Sequence, residues 1–129
     1  MLLVDTISLF GSMEFDFDKC GVDVTVCGSQ KGLMMLAGMS FSDISERAMA
    51  ASLEHDMKRN YFNWQQMLLV KPQRFPGTSL VHLIYGIHEA LKIIEEESLD
   101  AVIARHGRLA AAVRASIEHW KAAKQIVQS

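Results

Sequence analysis

Apolar residues in the second half of the sequence recur at spacings of three and four, and this pattern leaves little choice of local structure. They are Leu80, Leu83, Ile84, Ile87, Leu91 and Ile94. Because such spacing puts side chains on one face of a helix, we predict a long amphipathic helix that Thr78 or Ser79 caps. A second long helix is predicted to begin at Leu99 or Asp100 and to run to about Lys124.

The first half of the chain has the shorter, β-branched pattern of strands. Apolar residues over Leu2–Ile7 predict a buried strand, and Val22–Val26 predicts a second strand that stops at Gly28. The stretch Leu33–Phe41 predicts a third strand that turns back against the second. Strands therefore precede helices, which indicates an α/β protein.

Two shorter helices are predicted between the strands and the long helices. Ser42 is a suitable N-cap for a helix over Ser42–His55, and a short helix is predicted over Trp64–Val70. No repeat, low-complexity tract or linker composition divides the sequence. We therefore expect residues 1–129 to form a single structural unit.

Composition excludes several classes of partner. A formal net charge of -2 and a pI near 6.2 give no basic surface for nucleic acid. Cys20 and Cys27 are too few for a disulfide framework, and no Cys or His spacing resembles a zinc site, so no metal is expected. No apolar stretch approaches the roughly 18 residues of a membrane helix, and Met1–Val4 lacks the basic lead of a signal peptide. We expect a cytoplasmic protein with no membrane partner.

Lys31 and Asp5 are the residues whose positions best suit chemistry. Lys31 follows the second predicted strand, and Asp5 lies near the end of the first. An amine and a carboxylate held at strand ends are what a protein needs to bind pyridoxal phosphate. The amine forms a Schiff base with the aldehyde, and the carboxylate keeps the distant ring nitrogen protonated so that the ring accepts electrons.

The residues around Lys31 favour the same chemistry. Gly28 and Ser29 are small enough to let the backbone approach a planar ligand, and the apolar run Leu33–Leu36 is expected to bury the surroundings of the amine. Simpler interpretations remain open, because most lysines near strand ends are solvated and a carboxylate at a strand tip often caps a loop. The acidic run that contains Glu14, Asp16 and Asp18 is typical of solvated charge rather than of a metal site.

An ordered series of short motifs along the whole chain resembles the cofactor-binding core of class V aminotransferases, in the branch of serine-glyoxylate and alanine-glyoxylate aminotransferases. The motifs are Leu3-Val4-Asp5-Thr6-Ile7-Ser8, Gly11-Ser12, Gly21-Val22-Asp23-Val24, Gly28-Ser29-Gln30-Lys31-Gly32-Leu33-Met34, Gly38-Met39-Ser40-Phe41, Arg59-Asn60-Tyr61-Phe62-Asn63-Trp64, Phe75-Pro76, Thr78, Leu83-Ile84-Tyr85-Gly86-Ile87, Ala104-Arg105-His106 and Leu109-Ala110. The resemblance implies the large domain of the fold-type-I fold of pyridoxal-phosphate-dependent transferases.

The resemblance also implies a role for individual residues. It makes Lys31 the lysine that binds pyridoxal 5'-phosphate covalently and Asp5 the partner of the pyridine nitrogen. Ile7 would pack on one face of the ring, and Gln30 would contact the ring substituents. Thr78 matches a position that reaches the cofactor phosphate from the neighbouring subunit, which implies a homodimer in the intact enzyme.

Members of the family exchange amino groups between amino acid and 2-oxo acid substrates, here serine or alanine with glyoxylate by resemblance. They are much longer than this sequence, with an N-terminal part that supplies a stacking aromatic and a C-terminal small domain that supplies the arginine for the substrate carboxylate. The sequence resembles only the central part of the large domain. An alternative therefore stays open: a catalytically inactive folded remnant or dimerisation module, with helices Ser79–Glu97 and Leu99–Lys124 as the association surface.

Overall fold

The computed structural model of the chain describes residues 1–59, 61–69 and 77–120. Strands β1 (Leu3–Asp5), β2 (Val24–Gly28) and β3 (Ser40–Ile44) form one sheet in the order β1-β2-β3. β1 is parallel to β2, and β3 is antiparallel to β2. The predicted α/β class is therefore confirmed, and the third strand does turn back against the second.

Helices follow the strands in the order α1 (Glu46–Glu54), α2 (Trp64–Leu69), α3 (Val81–Glu97) and α4 (Leu99–Glu118). The predicted start of α4 at Leu99 is confirmed, because the Ser98 hydroxyl accepts a hydrogen bond from the Ala101 N–H at 3.3 Å. The predicted end near Lys124 is not observed, since α4 ends at Glu118. Residues 121–129, together with Asn60, Val70, Phe75 and Pro76 from the predicted elements and motifs, lie outside the described residues.

Two helix starts differ from the prediction. Residues 42–44 belong to β3, where Ile44 pairs with Val24, so α1 cannot begin at Ser42. Its N-cap is Ser45, whose hydroxyl accepts from the Ala48 N–H at 3.1 Å. Helix α3 begins at Val81 without a side-chain cap, which leaves Thr78 and Ser79 too far upstream to cap it.

The third strand also lies later than the sequence predicts. The sequence predicts a strand over Leu33–Phe41, but only the last two residues of this stretch belong to β3. Met34 and Gly38 have φ values of 57° and 128°, which an extended strand does not accommodate. Residues 29–39 instead form a compact turn between β2 and β3, which we call the Lys31 turn.

The two faces of the sheet have different surroundings. Thr25 and Cys27 of β2 face α3 and α4, and Leu33 packs beside this face in a core that also contains Ile94 and Val102. On the other face, which we call the open face, Leu3, Asp5 and Val26 are exposed. None of the helices that the structure describes is both long enough and apolar enough to cross a membrane.

A buried carboxylate joins the sheet to α1. Asp23 is 1% exposed and accepts hydrogen bonds from the Leu2 N–H at 2.7 Å and the Ser45 hydroxyl at 3.0 Å. The Arg47 guanidinium donates two further hydrogen bonds, from Nε to Asp23 Oδ1 at 2.7 Å and from Nη2 to Asp23 Oδ2 at 2.6 Å. Asp23 therefore ties the residue before β1 to the first turn of α1.

We predict that the stabilisation from Asp23 is present at neutral pH and disappears in acid. Arg47 first, and the Leu2 N–H second, hold the pKa of the Asp23 carboxyl well below its ordinary 3.8. Since the folded-state pKa lies below the unfolded one, the stabilisation is complete above about pH 5 and is lost as the pH falls through and below the ordinary carboxyl range.

Thermal unfolding of the parent chain and of Asp23→Asn, followed by circular dichroism from about pH 6 to about pH 2.5, checks this expectation. The parent should have the higher Tm near neutrality, and the difference in Tm should shrink steadily in acid. Other carboxylates with a lowered pKa, such as Glu97 beside Arg105, are common to both proteins and cancel in the difference. A difference that stays constant over this range would contradict the prediction.

Candidate functional site

Asp5 and Lys31 lie at the same edge of the sheet because β1 and β2 are parallel. Asp5 is the last residue of β1 and pairs in register with Val26. Lys31 lies shortly after Gly28, which is the last residue of β2. Carboxyl ends of parallel strands are where α/β sheets commonly bind ligands.

The Asp5 carboxylate is exposed on the open face. Its Oδ1 accepts a hydrogen bond from the Ile7 N–H at 2.8 Å, which fixes the carboxylate beside the half-buried Ile7 side chain. Oδ2 of Asp5 accepts no hydrogen bond from the residues that the structure describes. The two residues line a shallow depression with the apolar side chains of Leu3, Val4, Val24 and Val26.

The Gln30 carboxamide lies on this same face. Because side chains alternate along β2, a side chain at Gly28 would point to the same face as the side chain of Val26. A Cβ atom built on Gly28 would lie 2.7 Å from Gln30 Oε1, so the carboxamide covers Gly28 directly. Three of the predicted residues, Asp5, Ile7 and Gln30, therefore share the open face.

Lys31 is exposed in the turn that follows, and its surroundings differ from the prediction. Leu33 is drawn into the core, but Met34 and Leu36 are 51% and 78% exposed. The apolar run therefore does not bury Lys31, and the left-handed backbone at Met34 turns the chain within this run. Nζ makes no ion pair within 4.0 Å of any acidic group in the described ranges.

Thr78 is not part of this group within one chain. It is exposed just before α3 and does not line the depression beside Asp5. Its neighbour Gly77 faces Tyr61, since a Cβ on Gly77 would lie 3.4 Å from that ring. The role predicted for Thr78 involves a neighbouring subunit and stays a prediction.

Thr6 also contributes to the candidate site, although the sequence did not indicate it. Its side chain is fully buried, its Oγ1 lies 2.8 Å from Thr25 Oγ1, and it donates to the Val26 carbonyl at 3.0 Å. These bonds fix the chain immediately after Asp5 and so hold Asp5 and Ile7 on the open side. Strand alternation was the available signal, because the residue between two open-face positions must face the helices.

The residues present fit the reactive ring of pyridoxal phosphate. Asp5 offers a carboxylate oxygen to a ring nitrogen, Ile7 and Val26 offer an apolar surface to a flat ring, and Gln30 and Lys31 offer a carboxamide and an amine at the same edge. In the parts of the chain described, no group of three or more His, Cys, Asp or Glu side chains is arranged to hold a metal ion.

Comparison with known proteins identifies the family of this chain. The family model described as aminotransferase class-V matches residues 1–128 of the chain. The chain belongs to the class-V aminotransferases. It is similar to an L-aspartate–glyoxylate aminotransferase of Paracoccus denitrificans, with 38% identity over 93% of this chain and 31% of that protein. It is also similar to a serine–glyoxylate aminotransferase of Arabidopsis thaliana, with 36% identity over 93% of this chain and 30% of that protein.

Solved structures of aminotransferases share the fold of this class-V chain. An alanine–glyoxylate aminotransferase from Nostoc sp. superimposes with a TM-score of 0.79 at 29% identity, over 92% of this chain and 32% of that one. A pyridoxamine-pyruvate aminotransferase from Mesorhizobium loti gives a TM-score of 0.79 at 31% identity, over 91% and 31% of the two chains. The chain thus spans about a third of the length of the relatives that it matches. The predicted family and fold are confirmed.

Proposed function

We propose that this chain carries the pyridoxal-phosphate-binding part of an enzyme that transfers amino groups between an amino acid and glyoxylate. The observation that carries the proposal is the pair of Asp5 and Lys31 at the carboxyl ends of neighbouring parallel strands, with Ile7 and Gln30 beside them. Family membership supports it independently, because aminotransferases of this class use this cofactor.

Each side chain would have a definite task toward the cofactor. Asp5 would hold a proton on the ring nitrogen through Oδ2, while the Ile7 N–H keeps Oδ1 in place. Ile7 would support one face of the ring, and Gln30 would contact its substituents. Bound pyridoxal phosphate supplies an aldehyde that condenses with amines and a ring that accepts electrons.

Lys31 would act twice in the proposed reaction. Its amine would bind the aldehyde covalently at rest and would be released when the substrate amine enters. The free amine would then move a proton from the substrate Cα to the carbon that had carried the aldehyde oxygen. The exposed position of Lys31 suits both tasks, since the side chain can swing without breaking an ion pair.

The names of the relatives support glyoxylate as one substrate. Proteins similar to this chain include serine–glyoxylate, L-aspartate–glyoxylate and alanine–glyoxylate aminotransferases. We propose glyoxylate as the amino acceptor and serine or alanine as the donor, with L-aspartate as the competitor to test. The intact enzyme would be a homodimer in which Thr78 reaches the cofactor phosphate of the partner.

Reductive trapping tests the cofactor assignment. The purified chain is incubated with pyridoxal 5'-phosphate, reduced with borohydride, digested and mapped by mass spectrometry. We expect the phosphopyridoxyl group on Lys31. Lys19, whose side chain is 85% exposed, and Lys92 serve as internal controls for nonspecific reaction. Modification that follows exposure alone, with Lys19 modified as fully as Lys31, would refute the proposal.

A catalytically inactive folded remnant or dimerisation module is the second candidate. The chain matches 31% of the first relative, so turnover by residues 1–129 has to be measured directly. Turnover separates the two functions: the cofactor-loaded chain is mixed with glyoxylate and with L-serine, L-alanine or L-aspartate, and glycine is measured. Glycine formation supports the enzyme, and modification of Lys31 without glycine supports the inactive remnant or dimerisation module.

A further inference from the structure

Ser29 is a fully buried polar residue that closes the Lys31 turn on itself. Its side chain is 0% exposed, and its hydroxyl donates to the Leu36 carbonyl at 2.7 Å and accepts from the Met39 N–H at 3.3 Å. Its backbone N–H donates to the Met39 carbonyl at 3.0 Å, and its carbonyl accepts from the Met35 N–H at 3.0 Å. One residue therefore binds the far side of the turn through both its backbone and its side chain.

The position of Lys31 depends on this closure. The Lys31 side chain forms no ion pair in the described ranges, so only its backbone fixes where the amine begins. The Lys31 carbonyl accepts a hydrogen bond from the Met34 N–H at 2.8 Å, and Met34 itself has a φ of 57°. Non-glycine residues rarely adopt this left-handed conformation, and it persists only where the surrounding structure holds it. The bonds of Ser29 to Met35, Leu36 and Met39 join the chain before Lys31 to the chain after it, and they are among the contacts that hold this backbone.

We propose that the Ser29 hydroxyl is a positioning group for Lys31. By bonding to Leu36 and Met39 it fixes the turn so that the amine starts at the edge of the sheet where Asp5 and Gln30 lie. Ser29 does not touch the cofactor, because its side chain is buried inside the turn. The inference rests on the proposed function and extends it to a residue that acts through the backbone.

Ser29→Ala and Ser45→Ala form a matched pair for testing the role. The Ser45 hydroxyl also makes two hydrogen bonds, to Asp23 Oδ1 at 3.0 Å and from the Ala48 N–H at 3.1 Å, but it lies at the start of α1 rather than in the Lys31 turn. Both variants therefore lose comparable bonding. The concentration of pyridoxal 5'-phosphate that gives half-maximal trapping at Lys31 is measured for each. We expect about a tenfold increase for Ser29→Ala and less than about a twofold change for Ser45→Ala.

Amide hydrogen exchange without cofactor provides a second readout. The amides of Met35 and Met39 bond to Ser29, so a peptide that covers them should exchange faster in Ser29→Ala than in the parent, and at the parental rate in Ser45→Ala. Equal trapping by the two variants, with Lys31 modified in the parent, would overturn the role of Ser29 and leave the proposed function standing. A parent chain that is not modified at Lys31 would overturn both.

Discussion

Lys31→Arg is expected to abolish covalent attachment of pyridoxal 5'-phosphate and to leave the fold intact. Arginine keeps the positive charge and the length of the side chain, but its guanidinium stays protonated and does not condense with an aldehyde at neutral pH. Because Lys31 is exposed and its side chain forms no ion pair in the described ranges, the substitution removes no packing. The signal after borohydride reduction should fall to background, and the Tm should change by less than about 2 °C.

Lys19→Arg is the matched control for this substitution. The Lys19 side chain is 85% exposed, pairs with Asp16 at 2.7 Å and does not line the depression beside Asp5. Trapping should be unchanged in this variant. Retention of the parental signal in Lys31→Arg, or an equal loss in both variants, would show that attachment does not occur at Lys31 and would remove the main support for the cofactor site.

Gly32→Ala should be strongly destabilising, and the reason is a contact between two backbones. A Cβ at Gly32 would overlap the Phe10 carbonyl oxygen and lie 2.9 Å from the Gly11 carbonyl carbon. Neither is the flexible end of a side chain, so one backbone segment must move. Phe10 and Gly11 belong to the segment after Asp5, whereas Gly32 follows Lys31, so the added methyl group separates the two halves of the candidate site.

We expect Gly32→Ala to lose about 3 kcal/mol of unfolding free energy and about 10 °C in Tm. Gly107→Ala is the control, because a Cβ there meets nothing within 4 Å on the surface of α4. That substitution should instead raise stability by about 0.5–1 kcal/mol through the better helix propensity of alanine. Similar Tm values for the parent and Gly32→Ala would contradict the close approach of the two segments.

The sequence contains enough information for the order and type of the elements and for the shared edge of Asp5 and Lys31. Helical spacing of apolar residues identifies α3 and α4, and β-branched runs identify β1 and β2. The structure shows that β1 and β2 pair in parallel, and this pairing brings together two residues that are far apart in the chain.

The boundaries and the buried polar contacts depended on tertiary partners and could not be predicted in the same way. Ser42 and Ser45 are equally good N-caps by residue type, and pairing of Ile44 with Val24 decides between them. Ser29 bonds to backbone groups of an irregular turn, which no periodicity describes. Asp23 lies in an alternating apolar segment that does not indicate its ion pair, because its partner Arg47 belongs to a different element.

The opposite orientations of Asp5 and Thr6 restrict how β1 can vary during evolution. Shifting the pairing of a strand by one residue exchanges its two faces. A single-residue insertion or deletion in β1 would turn the carboxylate toward α3 and α4 and would also break the bond between Thr6 and Thr25. We therefore expect related genes to keep the length of this strand constant even where its apolar residues change.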